Sequence, residues 1–142
     1  MLLPLVLAFA LSSPDLKDGT MIPKAFAWNK DGCGGENRTP RVAWDAAPAG
    51  TRTFNLTVVD HDASKPGGWT HWAVLHIPAS TRTLGDGPVS GAVILRNSFG
   101  TLGWGGPCPP PGSLHHYTFQ LRALDARNRT VGLAKIVPVY SR

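Results

Sequence analysis

Three stretches of this chain place apolar residues at every second position, and that pattern constrains its fold more than any other feature. Phe54, Leu56 and Val58 alternate with Thr53, Asn55 and Thr57. Ala73, Leu75 and Ile77 alternate with Trp72, Val74 and His76, and Tyr117, Phe119, Leu121 and Ala123 with His116, Thr118, Gln120 and Arg122. A side-chain period of two marks a strand with one face in a core. No window sustains a 3.6-residue period over three turns. Gly (16) and Pro (13) form about a fifth of the 142 residues and are densest in two loops, 33–37 and 100–112, which suit neither helix nor central strand. Shorter strand candidates fall at 6–11, 41–45, 89–96 and 131–140. The expectation is an all-β domain with few or no helices, spanning 1–142 as one unit, with 1–6 as an N-terminal extension or signal remnant.

Charge narrows the partners. The net charge is +5, but the nine Arg are scattered singly from Arg38 to Arg142. A nucleic-acid reader gathers its basic residues into a stripe with interleaved aromatics, so no nucleic-acid partner is expected. The apolar start, 1–10, is too short to span a bilayer, and no transmembrane segment is expected. Two cysteines, Cys33 and Cys108, cannot build a cysteine-rich metal site alone. They read as free thiols of a cytoplasmic protein, with a single bridge as the alternative if residues 1–10 are a signal remnant and the protein is exported.

Following each alternation to the end of its strand brings polar groups together. The inward register of the first strand runs Phe54, Leu56, Val58 and then Asp60. That of the second begins at His71, and that of the third at His115 and Tyr117. If the first two strands pair antiparallel across residues 61–69, Asp60 lies beside His71, and the loop ending at Gly112 delivers His115 to the same rim. Such a rim is a polar pocket with an apolar floor. A carboxylate beside a His raises the imidazole pKa, so a cationic ring near neutral pH is expected there, suited to a phosphate or carboxylate.

The chain resembles the phosphatidylethanolamine-binding protein family, also called Raf kinase inhibitor-like proteins, and in particular its prokaryotic branch. The resemblance runs through LSSPDLKDGTMIP (Leu11–Pro23), GENRTPRVAW (Gly35–Trp44), DHDASKPGGWTHW (Asp60–Trp72), GWGGPCPPPGSLHHY (Gly103–Tyr117) and VYSR (Val139–Arg142). It implies two packed antiparallel sheets and a small pocket for a phosphate-type group, a phosphoethanolamine headgroup or acetate. The family's pocket residues carry over onto Asp60, Asp62, His71, Gly106, Pro107, His115 and Tyr117. Trp69 and Trp104 fall within the same motifs as candidate walls of a headgroup site.

The chain departs from the family pattern at three places. Asp60-His61-Asp62-Ala63-Ser64 stands where the family has Asp-Pro-Asp-Ala-Pro, and without those prolines the turn loses a fixed φ. Only residues 126–130 separate Asp125 from Val131, where a helical segment is common, and the expected effect is one open pocket edge. Residues 1–6 match nothing in the family.

The function expected is non-enzymatic binding of a small anion or phospholipid headgroup, with no catalytic residue, metal or cofactor. The alternative is inhibition of a protein kinase or serine protease through the same pocket. A lesser alternative is a His/Asp hydrolase, or a metal enzyme using His61, His71 and His115, although Gly-x-Ser-x-Gly and His-Glu-x-x-His are both absent.

Overall fold

Unbroken alternation over Thr53–Asp60 produces the strand around which the rest of the chain assembles. The computed structural model describes residues 1–4 and 7–142; Leu5 and Val6 lie outside the described residues, and with them the start of the strand expected over 6–11. In β3 (Thr53–Asp60) every second side chain is buried, namely Phe54, Leu56, Val58 and Asp60. β3 takes two antiparallel partners, β4 (Trp69–Pro78) and β7 (His115–Leu124). Beyond them lie β6 (Val93–Ile94) on β4 and β8 (Thr130–Ile136) on β7, giving the order β6-β4-β3-β7-β8. β9 (Val139–Tyr140) pairs with the first two residues of β7.

A second sheet of three short antiparallel strands, ordered β1 (Ala10–Ser12), β2 (Val42–Asp45), β5 (Thr83–Leu84), covers one face of the first. The rings of Trp44 and Phe54 meet edge-on across the layers at 5.4 Å, and Phe9 stacks on Phe54 at 6.1 Å. Phe54, Leu56, Val58, Phe119 and Leu121 are fully buried between the sheets. Each such side chain stabilises the fold by roughly 1.5–3 kcal/mol. Among the described residues the only helical turn is a 3-10 turn at Lys24–Phe26. The mainly-β class and the two antiparallel sheets are as expected. The stretch expected as a strand over 89–96 forms only Val93–Ile94, because Ala92 N–H closes a turn onto Val89 O before it and Arg96 leaves β4 to bridge Leu102 after it.

β4 breaks the expected alternation. Its inner face is Ile77, Val74 and Trp72, opposite Phe54, Leu56 and Val58, so of the expected Ala73, Leu75 and Ile77 only Ile77 keeps its place. Two register shifts account for this. One inserts an extra residue at Leu75-His76, where His76 adopts φ 54°. The other falls between the Val58–Trp72 and Val59–Thr70 pairs and leaves His71 as the extra residue. A bulge re-aims a side chain in this way. His71 therefore faces inward because of a bulge, not because of simple parity.

Register also fixes the two ends of the molecule. Asp60 pairs with Tyr117 at one end of β3, and Thr53 with Leu124 at the other. The short turn after β7 closes through Asp125 N–H to Arg129 O at the Leu124 end. It cannot border a pocket at Asp60, which corrects the expected open edge.

Candidate functional site

The turn that lacks the family prolines is held by its own carboxylates. Asp60 Oδ1 accepts the Asp62 N–H at 2.9 Å, and Asp60 Oδ2 accepts His115 Nδ1–H at 2.6 Å. Asp62 Oδ2 accepts both the N–H and the Nδ1–H of His116, each at 2.8 Å. Hydrogen bonds from His116 hold the Asp62 carboxyl below the usual carboxylate range. Asp60 is 3% exposed, so its two bonds replace what burial takes from it. His61 is exposed and takes no part.

The Gly-rich loop is clamped from both sides. His71 Nδ1–H donates to Gly105 O at 2.5 Å, and Gly105 N–H returns a bond to His71 O at 2.8 Å. Asn37 reaches the same loop from the other side, accepting Gly106 N–H at 2.7 Å and donating to Trp104 O at 3.3 Å. Trp28 N–H donates to Pro107 O at 3.0 Å. A Cβ on Gly106 would lie 2.1 Å from Phe26 O, so only glycine fits this close approach. A disulfide joins Cys33 to Cys108, with the two Cα atoms 5.5 Å apart. The reading of Cys33 and Cys108 as free thiols is thereby corrected: two loops distant in sequence are packed against each other, and their cysteines meet. Arg142 Nε–H donates to Pro109 O at 2.6 Å and completes the frame.

These elements enclose a cavity of about 520 Å³. Of the sequence-derived candidates, Asp60, Asp62, Trp69, His71, His115 and Tyr117 line it; Gly106, Pro107 and Trp104 do not. Gly106 and Pro107 form the backbone behind the wall. Trp104 is buried against Phe119 and Trp72, with its Nε1–H donating to Phe26 O at 2.9 Å. Asp31, Phe99 and Arg142 also line the cavity and were not chosen from the sequence. Arg142 closes the matched VYSR motif, which is the signal that marked it. Phe99 and Asp31 carried none: Phe99 arrives by stacking on Trp28 at 3.9 Å, and Asp31 by accepting Trp28 Nε1–H at 3.1 Å.

Burial decides the chemistry of the floor. His71 is 2% exposed, and burial pushes its pKa below the ordinary imidazole value, outweighing the Gly105 carbonyl and the Asp60 charge. The ring is therefore neutral near pH 7, which corrects the expected cation at His71. With Nδ1–H committed to Gly105, its Nε2 is the acceptor nitrogen. Tyr117 is fully buried, 5.0 Å from the His71 ring between centroids, and its phenol pKa is raised by burial and by Asp60. It stays protonated and is a donor. Among the described residues neither Tyr117 Oη nor Trp69 Nε1 has a hydrogen-bond partner. Three carboxylates, Asp31, Asp60 and Asp62, share the cavity with one guanidinium, Arg142. Among the described residues no group of three or more His, Cys, Asp or Glu is placed to hold a metal ion.

Residues 12–138 match the family described as phosphatidylethanolamine-binding protein. UPF0098 protein YbhB of Escherichia coli (strain K12) is 43% identical over 122 residues, covering 81% of this chain and 77% of YbhB. UPF0098 protein YbcL of the same organism is 40% identical over 126 residues, covering 82% of this chain and 69% of YbcL. The crystal structure of E. coli YbcL, described as a new member of the mammalian PEBP family, superposes with a TM-score of 0.89 and 33% identity. That superposition covers 96% of this chain and 99% of the YbcL chain.

Proposed function

The chain belongs to the phosphatidylethanolamine-binding protein family, and from that premise we propose that its cavity binds a phosphate-bearing or other small anionic group of the phosphoethanolamine type. The observation that carries this reading is the pair of buried donors without partners, Tyr117 Oη–H and Trp69 Nε1–H, on the wall of one cavity. An unsatisfied buried donor costs about 1–3 kcal/mol, and a ligand oxygen would recover part of that. Neutral donors and Arg142 hold the anion in this account, and the His71 ring adds no charge. The carboxylates of Asp31, Asp60 and Asp62 suit a ligand that also carries an ammonium group. Phosphoethanolamine answers both sides of the cavity, whereas inorganic phosphate answers one.

The reading is non-catalytic. Neither His71 nor His115 shares a hydrogen bond with a hydroxyl or thiol among the described residues, and Cys108 is committed to the disulfide. A nucleophile activated by a neighbouring base needs such a contact. The disulfide also favours an oxidising compartment over the cytoplasm. Among the described residues no helix is long and apolar enough to cross a membrane.

Tryptophan fluorescence during titration with phosphoethanolamine, inorganic phosphate and acetate tests the reading. Phosphoethanolamine binds more tightly than phosphate, and Tyr117→Phe weakens it about fivefold or more while its thermal stability is no lower than that of the wild type. Binding does not weaken between about pH 7 and pH 8, because His71 is already neutral there. Equal affinity in wild type and Tyr117→Phe overturns the proposal.

A further inference from the structure

The end of the molecule away from the cavity has a chemistry of its own. β3 is eight residues long, which places its Thr53 end roughly 23 Å from Asp60. Five arginines gather there. Arg52 N–H donates to Leu124 O, Arg82 holds the turn after β4, Arg122 sits near the end of β7, and Arg127 and Arg129 occupy the turn that follows. The carboxylates of this end are Asp45, exposed at the end of β2, and Asp125. Only Arg129 is paired, with Asp125 at 2.9 Å; among the described residues the other four have no carboxylate within salt-bridge distance.

Apolar side chains stand exposed beside these charges. Leu133, opposite Arg122 across the β7–β8 pair, is 54% exposed, and Val131 in the adjoining irregularity is 37% exposed. The same end receives the N-terminal segment. β1 begins with Ala10 opposite Asp45, and Phe9 packs over Gly132 of β8. Ahead of it Leu7 is 67% exposed, and Leu2 and Leu3 are more so. Guanidinium groups flanking exposed leucines form an interfacial surface, where apolar residues enter the headgroup boundary and cations meet lipid phosphates. A nucleic acid would reward the arginines but not the leucines.

We propose that this arginine-rich pole, with Leu7, Val131 and Leu133, docks onto an anionic lipid surface. The cavity then lies at the far end, directed away from the bilayer, and takes its ligand from the aqueous side.

Vesicle flotation tests the proposal, using phosphatidylcholine alone and phosphatidylcholine with phosphatidylglycerol. Binding is expected only with phosphatidylglycerol and is lost as salt rises to about 0.5 M. Arg52→Glu with Arg127→Glu breaks no side-chain hydrogen bond or ion pair within the described residues, so the double variant stays folded. It lowers vesicle affinity more than about tenfold, since each cation near an anionic surface contributes about fivefold. Leu7→Ser with Leu133→Ser weakens binding at low salt, and Tyr117→Phe leaves it unchanged. Equal binding to both vesicles, full affinity in the double arginine variant, loss of binding in Tyr117→Phe, or equally tight binding to a DNA duplex would each overturn it.

Discussion

At the scale of single residues, the cavity shows how burial overrides a neighbour's charge. Asp60 is close to His71, yet the imidazole stays neutral because desolvation is the larger effect. A His with a depressed folded pKa stabilises the fold above the unfolded value and loses that contribution as pH falls. We therefore expect thermal stability to decline below about pH 6.5. His71→Gln keeps a donor toward Gly105 and removes the titration, so its melting temperature declines less than wild type over that window. A parallel pH dependence in the two proteins would refute the assignment. Asp60 acts differently. Its carboxylate satisfies both His115 and the Asp62 N–H, so Asp60→Ala strands two donors and costs roughly 2–4 kcal/mol by chemical denaturation. Asp60→Ala thus reports on folding before it reports on binding.

At the scale of elements, the site depends on two irregularities and one cross-link. The extra residue at His71 aims an imidazole into the cavity from a strand whose regular face is already filled by Trp72 and Val74. The second irregularity holds His76 at φ 54°, where glycine is favoured. His76→Gly is expected to leave stability unchanged or raise it by up to about 1 kcal/mol, whereas His76→Val lowers it by about 1–2 kcal/mol. A loss of stability in His76→Val that His76→Gly does not share is the diagnostic outcome. The disulfide closes a separation of 75 residues between two loops at the cavity. Replacing Cys33 and Cys108 by Ser costs about 2–4 kcal/mol in denaturant unfolding. Because Cys108 lines the cavity, phosphoethanolamine affinity falls in the same variant.

At the scale of the whole molecule, β3 spans the distance between an acidic, aromatic cavity and a basic pole. Screening in physiological salt acts over about 8–10 Å, well short of the roughly 23 Å along β3. The two ends are therefore electrostatically independent. Arg52→Glu with Arg127→Glu is expected to change phosphoethanolamine affinity by less than about twofold, measured by the same tryptophan fluorescence titration. A larger change would mean that the ends communicate through the sheet.

The sequence by itself determined the three long strands of the large sheet and the rim they share. Alternation is a local property, and it survives in β3 and β7 because one face of each is uniformly covered. It therefore identified Asp60, His115 and Tyr117 as inward groups at one end. It chose His71 correctly by a rule that β4 does not follow, because a bulge depends on how two strands are matched and leaves no mark in the spacing of one. The motifs of the Gly-rich loop identified Gly106, Pro107 and Trp104, but only packing separates residues that face the cavity from those that support its wall. Tertiary structure alone brought Cys33 to Cys108, Asp31 and Phe99 to the cavity, and Asn37 to the Gly106 amide. It also decided the protonation of His71, because desolvation depends on everything that surrounds the ring. And it gathered arginines that lie singly along the chain into one pole, since antiparallel strands return distant turns to the same end.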